Sequence, residues 1–448
     1  MFDRLVPAAL ADAATAHLRA EGVRRGAIVA WLGHNSWDQI ATLVACERLG
    51  AVLLPLNWRL AAPELARIVE HAGAGHLMGT PELQALAEDV LRRARLKPGP
   101  AAGVQGGDLL LVYTSGTTGD PKGAMHTRAG LQANAAAAVA AQGFSAATRV
   151  LSVLPLFHVG GLCIQTLPAL AVGAKVSLLP RFEPASWFDT VEQWKPTTTL
   201  LVPAVMKVLI EHPRWATADV SSLAFVNSGS QIVPRALIEA FHTRGVPVAQ
   251  VYGATETGPV SIVLKPDEAR SHVGRAGRPA LGVQVKLAGD GEILLKAPNL
   301  MRGYHRSAEA SFDAEGWFHT GDLALLHDDG FYEVVGRSKE LIISGGENIH
   351  PAEIEALVAE HPAVAECAVV GLPDATWGEV PVLAVVERPG VALDSAALLA
   401  HLAGRLARFK QPRRVVQVPA LPKTALGKVQ RAELAQQLMQ IKPAPPAA

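Results

Sequence analysis

From Asp108 onward, short aliphatic and β-branched runs alternate with longer segments of helical periodicity, and this alternation limits the folds open to the chain. The strands are predicted at 109–114, 150–155, 175–180, 198–203, 223–227 and 246–252. The helices are predicted at 129–142, 160–172, 184–195, 203–212 and 234–244. Such alternation is typical of βαβ units, so we predict an α/β fold with mostly parallel sheets.

The pattern changes after 333–336, where shorter elements predict a second, smaller α+β unit. Its helices are expected at 351–360 and 395–407, and its strands at 364–370, 382–386 and 413–418. The predicted boundaries are an N-terminal domain at 1–336, a hinge at 337–339, a mobile C-terminal domain at 340–440 and a disordered tail at 441–448. The segment 96–107, rich in Gly, Pro and Ala, is expected to be a loose connection.

Composition points to small-molecule partners. The 448 residues carry 41 basic and 41 acidic side chains, a balance that argues against nucleic acid as a partner. The longest apolar stretch, at 161–180, is interrupted by polar residues, so we predict no membrane-spanning segment. The amphipathic start lacks the features of a signal peptide, which predicts a cytoplasmic location. The three cysteines are too far apart in sequence for a redox pair or a cysteine-rich zinc site.

The strongest local motif runs from Tyr113 to Gly123, directly after a predicted strand. Its glycines let the backbone approach an anion, its hydroxyl and N–H groups are donors, and Lys122 adds a cation. It is not a Walker A loop, because Lys122 lies between a proline and a glycine instead of leading into a helix. The motif predicts a polyphosphate site.

This run resembles the phosphate loop of the adenylate-forming superfamily, which includes acyl- and aryl-CoA synthetases, firefly luciferase and nonribosomal peptide adenylation domains. The resemblance continues through further motifs in chain order and covers 22–431. It implies an AMP-forming ligase that uses ATP, Mg²⁺ and coenzyme A, and it leaves a homodimer open. The implied ATP-binding residues are Thr114, Ser115, Gly116, Thr117, Thr118, Gly119, Lys122, Ser230, Gln250, Tyr252, Asp322 and Arg337.

Two later motifs carry the implied roles of single residues. In 252–258, Tyr252 would stack on adenine, Thr255 would contact phosphate and Glu256 would hold Mg²⁺, with Thr114 as a second metal contact. A carboxylate beside a polyphosphate is repelled unless a divalent cation lies between them, which supports this role for Glu256. In 317–322, Asp322 resembles the residue that binds both ribose hydroxyls.

The C-terminal motif at 421–428 resembles the segment that carries the family's catalytic lysine, here Lys428. An ammonium between the attacking carboxylate and the α-phosphate would offset charge that gathers in the transition state. Lys339 stands at the position of the family's hinge, about which the small domain rotates between two half-reactions. The residues implied to bind CoA are Arg59, Gly345, Gly346, Trp377, Phe409 and Arg413. Gln411 replaces an arginine that some relatives carry.

The acid pocket is implied by the motif 154–161, in which His158 stands where amino-acid-activating domains place an aspartate. Together with Lys428, Glu256 and Thr255, His158 completes the implied catalytic set. The apolar surroundings favour a fatty or aromatic monocarboxylic acid. Relatives carry an opening hairpin and helix ahead of the point where this chain begins, and the short members include o-succinylbenzoate–CoA ligases, so that activity stays open. An enzyme that loads a carrier-protein thiol, and a pseudoenzyme that only binds nucleotide, also stay open.

Overall fold

The computed structural model describes residues 2–114, 122–308, 310–344, 347–374, 376–402, 405–424 and 427–441. The α-helices of this part are α1 Ala8–Ala20, α2 Trp37–Leu49, α3 Ala62–Ala72, α4 Gln84–Arg93, α5 Arg128–Gln142, α6 Leu167–Ala171, α7 Pro184–Trp194, α8 Pro203–Glu211, α9 Arg235–Thr243, α10 Pro351–Val358, α11 Ser395–Leu402 and α12 Arg431–Gln440. A π-helical segment, Gly160–Thr166, leads directly into α6. None of the described helices is long and apolar enough to cross a lipid bilayer.

The strands follow in chain order. They are β1 Ile28–Leu32, β2 Val52–Pro55, β3 His76–Gly79, β4 Asp108–Thr114, β5 Lys122–Thr127, β6 Arg149–Ser152, β7 Lys175–Leu178, β8 Thr198–Leu201, β9 Phe225–Gly229, β10 Val248–Tyr252, β11 Ile262–Leu264, β12 Arg278–Pro279, β13 Gln284–Leu287, β14 Glu292–Lys296, β15 Gly303–Tyr304, β16 Phe318–Leu326, β17 Tyr332–Arg337, β18 Ile342–Ser344, β19 Glu347–Ile349, β20 Val364–Asp374, β21 Gly378–Glu387 and β22 Arg414–Gln417.

Two large sheets form the first part of the chain, in the orders β15-β5-β4-β2-β1-β3 and β12-β11-β10-β9-β8-β6-β7. In the second sheet, the run from β7 to β10 is parallel throughout. In the first sheet, β4, β2, β1 and β3 are parallel, whereas β5 and β15 add antiparallel edges. The predicted α/β fold with mainly parallel sheets is therefore confirmed.

Helical segments cover both faces of the second sheet and bury its central strands. On one face, Trp187, Phe188 and Phe241 from α7 and α9 lie in a large apolar cluster with Val226 and Val248 of the sheet. The opposite face packs against α5 and the segment 160–171, whose contacts include buried amide side chains such as Gln142. Burial on both faces explains why these strands are short runs of apolar residues instead of alternating ones.

A third sheet, β13-β14-β16-β17, is antiparallel and was not predicted. Its strands mix charged and apolar residues, as in 284–296, so their signal in the sequence is weak. The C-terminal domain holds a fourth sheet, formed by β18 to β22, against which α10, α11 and α12 pack. Helix α10 ends at Val358 and β20 extends to Asp374, so the predicted ends at 360 and 370 differ from the observed ones by a few residues.

Candidate active site

Three residues expected at the nucleotide meet where the second and third sheets approach each other. Asp322 lies opposite Arg337 in the β16–β17 pairing, and Arg337 Nε donates to Asp322 Oδ1 at 2.6 Å. Tyr252, at the end of β10, donates its hydroxyl proton to Asp322 Oδ2 at 2.8 Å. Both oxygens of a buried carboxylate are thus held by a cation and a phenol.

The electrostatics fix the protonation states of Tyr252 and Arg337. Burial, followed by the nearby Asp322 charge, raises the pKa of Tyr252 well above its usual value. Burial acts to lower the pKa of Arg337, but the charge and hydrogen bond of Asp322, together with Glu340 and Tyr252, outweigh burial and the pKa is raised. At neutral pH the phenol is therefore a neutral donor and the guanidinium a permanent cation.

The motif 252–258 turns sharply where β10 ends. A side chain at Gly253 would place its Cβ 1.8 Å from the carbonyl oxygen of Pro259, so only glycine fits this close approach. Thr257 Oγ1 accepts from the backbone N–H of Ala254 at 2.8 Å and fixes the turn. The turn buries Thr255 and leaves Glu256 partly exposed, where its Oε1 accepts from the Tyr304 hydroxyl at 2.9 Å.

The predicted phosphate loop lies between β4 and β5, which pair antiparallel so that Thr114 lies opposite Lys122. The hairpin therefore holds the two ends of the loop side by side. The proposed ligands Ser115, Gly116, Thr117, Thr118 and Gly119 lie outside the described residues. Lys122 Nζ lies 5.4 Å from the ring centre of Tyr304, close enough for a cation–π contact.

Lys428 reaches the same cleft from the C-terminal domain. Desolvation lowers the pKa of its ammonium, and Arg337 adds to this effect by repulsion, whereas Asp322 and Glu256 act in the opposite direction. Lys428 therefore lies within electrostatic range of Arg337, Asp322 and Glu256, which are residues expected at the nucleotide. Its local turn is fixed because Lys428 N donates to Thr424 Oγ1 at 3.2 Å and Thr424 N donates to Lys428 O at 2.8 Å.

His158 precedes the buried π-helical segment 160–166. Its Nδ1 accepts from the backbone N–H of Gly160 at 3.1 Å. Burial, and then the charge of Lys428, lowers the pKa of His158 to about 4. A neutral imidazole therefore faces the approach of Lys428, with apolar neighbours at Phe157 and Val159.

Two further candidates for ATP binding, Ser230 and Gln250, lie directly after β9 and in the middle of β10. Ser230 is exposed and adopts a left-handed backbone with φ of 69°, directly after β9. Gln250 lies opposite Ser228 in the parallel pairing, and its Nε2 is buried with no hydrogen-bond partner among the described residues. An amide donor in this state suits a ligand acceptor.

The residues proposed for CoA fall into separate groups. In the C-terminal domain, Arg413 lies over the ring of Trp377 at 5.5 Å, and Phe409 is 41% exposed. Arg59 instead lies over the rings of Trp58 and Phe157, at 5.1 and 5.9 Å. The remaining CoA candidates, Gly345 and Gly346, lie outside the described residues. The hinge candidate Lys339 is exposed in a short 3₁₀ turn, Ser338–Glu340.

The donor set at Glu256 fits Mg²⁺, which prefers oxygen ligands and is commonly completed by substrate phosphates. The Glu256 carboxylate is a donor of this kind, and the hydroxyls of Thr255 and Thr114 would be the further oxygen ligands that the sequence predicts. Within the described ranges no cluster of three or more His, Cys, Asp or Glu side chains could hold a metal alone. The residues thus suit a cation shared with polyphosphate, whose charge it would partly neutralise.

Two residues that sequence reasoning missed belong to this site. Tyr304 contacts both Glu256 and Lys122, and His126 of β5 is buried with a hydrogen bond to the Thr255 backbone. Neither lies in a motif whose spacing indicates chemistry. For His126 the signal in the sequence was a polar group that follows apolar residues, as in Ala124-Met125-His126.

Comparison with known proteins places this geometry among related enzymes. Residues 8–305 match the family model of AMP-binding enzymes, and residues 353–428 match the model of the AMP-binding enzyme C-terminal domain. The chain is 43% identical to the indoleacetate–CoA ligase of Aromatoleum aromaticum, over 96% of this chain and 92% of that protein. It is 40% identical to a feruloyl-CoA synthase from an Amycolatopsis species, over 93% and 90%. The crystal structure of an anthranilate CoA ligase in complex with anthranoyl-AMP matches with a TM-score of 0.88 at 27% identity, covering 96% of this chain and 90% of that one.

Proposed function

Because the chain belongs to the family of AMP-binding enzymes and is an AMP-forming acid–CoA ligase, we propose that its acid is an aromatic monocarboxylic acid. In this reaction the carboxylate attacks the α-phosphate of ATP and releases pyrophosphate. The CoA thiol then attacks the carbonyl carbon of the acyl-adenylate, loses its proton and releases AMP.

The observation that carries the choice of acid is the neutral His158 at the start of a buried apolar segment. A pKa near 4 leaves this imidazole uncharged at neutral pH, so it would not pair with a second carboxylate. The same residue offers no negative charge for the ammonium of an amino acid. The segment 159–164 behind it is buried and largely apolar, which suits a ring. The two relatives named above, an indoleacetate ligase and a feruloyl-CoA synthase, support the proposal.

We assign the chemical roles from the contacts of each side chain. Asp322, held by Tyr252 and Arg337, would bind ribose, and Glu256 with Thr255 and Thr114 would face the phosphates and Mg²⁺. Lys428 would stabilise the charge that develops during adenylate formation. Thioester formation would then need the C-terminal domain to turn about Lys339, so that Trp377, Phe409 and Arg413 meet CoA. The boundaries 1–336 and 340–440, a homodimer and a cytoplasmic location remain predictions.

The test is a panel of acids assayed with ATP, Mg²⁺ and CoA by AMP release. It contains indole-3-acetate, ferulate, benzoate, 2-succinylbenzoate, dodecanoate and phenylalanine. We expect the highest kcat/KM with an aromatic monocarboxylate. A clear preference for dodecanoate or 2-succinylbenzoate would overturn the proposed acid class. Acid-dependent formation of pyrophosphate without any CoA-dependent release of AMP would instead favour a carrier-protein thiol as acceptor.

A further inference from the structure

The short strand β15 brings Tyr304 between two nucleotide motifs that belong to different sheets. Tyr304 lies opposite Ala124 in the antiparallel pairing with β5, two residues beyond Lys122, where β5 begins. Its hydroxyl donates to Glu256 Oε1 at 2.9 Å, and its ring centre lies 5.4 Å from Lys122 Nζ. One side chain therefore contacts the cation at the end of the phosphate loop and the carboxylate of the second motif.

The backbone around Glu256 is fixed by the segment that leads into β15. Asn299 Nδ2 donates to the carbonyl oxygens of Thr257 and Val260, at 2.9 and 3.1 Å. Met301 N donates to the carbonyl oxygen of Glu256 at 2.8 Å. These bonds hold the main chain of the motif but leave the Glu256 carboxylate to be oriented by another group. Tyr304 is the described side chain that donates to it.

We propose that Tyr304 is a positioning residue of the nucleotide site, whose hydroxyl orients the Glu256 carboxylate toward Mg²⁺ and whose ring orients the Lys122 ammonium. A phenol suits this task because it donates a hydrogen bond without adding charge, so Glu256 keeps its full attraction for a cation. Groups that orient a metal-binding carboxylate commonly change metal affinity about 10- to 100-fold when they are removed. The proposal rests on the ATP and Mg²⁺ dependence of the proposed function, and it does not depend on which acid is used.

The experiment measures cation and nucleotide binding in the intact protein. Mn²⁺ serves as the probe ion, and its binding to the complex with a non-hydrolysable ATP analogue is followed by electron paramagnetic resonance of free Mn²⁺. Tyr304→Phe removes only the hydroxyl and keeps the ring, so we expect Mn²⁺ affinity to fall about 10-fold. Metal-free binding of the analogue should stay within about 2-fold, because the cation–π contact with Lys122 remains. Tyr304→Leu should weaken both.

The matched control is Tyr332→Phe, which removes a phenol hydroxyl in the apolar cluster beneath the third sheet. It should change neither affinity. If Tyr304→Phe lowers the Tm more than this control does, the combination with Glu256→Gln decides the matter. In the Glu256→Gln background, loss of the hydroxyl should cause no further loss of Mn²⁺ affinity, and an additional loss of about 10-fold there would overturn the inference.

The outcomes separate this inference from the proposed function. Suppose that the wild-type protein binds Mn²⁺ and releases AMP. If Tyr304→Phe then binds Mn²⁺ as tightly as the wild type, only the role of Tyr304 is overturned. A wild-type protein that binds no cation with the nucleotide and releases no AMP overturns the proposed function itself.

Discussion

The Tyr252 hydroxyl donates to Asp322 Oδ2 at 2.8 Å, which joins the residue expected at adenine to the residue expected at ribose. The bond runs between the end of β10 in the second sheet and β16 in the third. Arg337 holds the other oxygen of the same carboxylate. Asp322 is therefore oriented by protein groups on both sides, which reduces the ordering needed when a ribose binds.

We expect Asp322→Asn to weaken ATP binding about 10- to 100-fold, the range for loss of hydrogen bonds to a charged group. The amide keeps the shape of the carboxylate. It loses the negative charge that attracts Arg337 and one of the two oxygens that would accept hydrogen bonds from ribose hydroxyls. Isothermal titration calorimetry with ATP measures the effect. Tyr252→Phe keeps the ring and removes one neutral donor, so it should cost about 10-fold or less. Equal ATP affinity in Asp322→Asn and the wild type would contradict the ribose role.

His126 predicts a dependence of stability on pH. Burial lowers its pKa from 6.5 to about 4, and its hydrogen bond to the Thr255 backbone only partly opposes this. Between these values the unfolded chain binds a proton that the folded chain does not. Stability is therefore fully present above pH 6.5 and falls as the pH drops toward 4, by up to about 3 kcal/mol.

Thermal unfolding at about pH 7.5 and about pH 5, on either side of the unfolded-state pKa of histidine, tests this expectation. In His126→Gln the decrease in Tm on acidification should be smaller than in the wild type, because the titrating group is gone. His17→Gln, a change at an exposed position of α1, is the control and should keep the wild-type decrease. An unchanged decrease in His126→Gln would show that other groups govern the acid response.

The order of the strands of the second sheet and of the helices between them could be predicted, because buried parallel strands have sequences of short apolar runs between helical segments. The third sheet could not, since its exposed antiparallel strands mix charged and apolar residues. The motifs expected to bind nucleotide are local runs in the sequence, but the contact of Asp322 with Tyr252 joins residues 70 positions apart. Tyr304 was not predicted because its partner is also distant in sequence: the Tyr304 hydroxyl contacts Glu256, which lies in another motif. The strand that holds Tyr304, β15, has only two residues and gives no strand signal.

Lys428→Ala should lower acid-dependent pyrophosphate exchange about 100-fold or more, because it removes a preorganised charge from the transition state. Thioester formation from synthetic acyl-adenylate should stay near the wild-type rate. Lys423→Ala is the matched control, since Lys423 lies in the same segment but pairs with Glu366 at 2.7 Å. Equal loss of both half-reactions in Lys428→Ala would contradict a role confined to adenylation.

Trp377→Ala should show the opposite pattern, with adenylation kept and thioester formation slowed. Trp377 is 46% exposed and its ring contacts Arg413, so removal of this side chain leaves the contacts of Lys428 in place. The two half-reactions are measured separately by pyrophosphate exchange and by thioester formation from acyl-adenylate. Met439→Ala removes another exposed apolar side chain of the C-terminal domain and should affect neither rate. Slower adenylation in Trp377→Ala would count against its assignment to CoA.

Two contacts of helix α8 hold the C-terminal domain in the orientation that brings Lys428 toward Asp322. Lys207 Nζ donates to the carbonyl oxygen of Ala365 at 2.6 Å, and Glu211 Oε1 lies 3.4 Å from Arg388 Nη1. Both contacts join one face of α8 to the C-terminal domain. They would have to break if that domain turns about Lys339 between the half-reactions.

We expect the double variant Lys207→Met and Glu211→Gln to favour the turned orientation. The exposed Glu211–Arg388 ion pair contributes about 1 kcal/mol or less, and the charged hydrogen bond of Lys207 contributes about 1.5 kcal/mol. The equilibrium between orientations should therefore shift by about 10- to 100-fold. Pyrophosphate exchange should then decrease relative to thioester formation from acyl-adenylate. Lys195→Met breaks an exposed pair with Asp219 within the first part of the chain and should leave this ratio unchanged. A double variant that keeps the wild-type ratio of the two half-reactions would show that the α8 contacts do not set the orientation of the C-terminal domain.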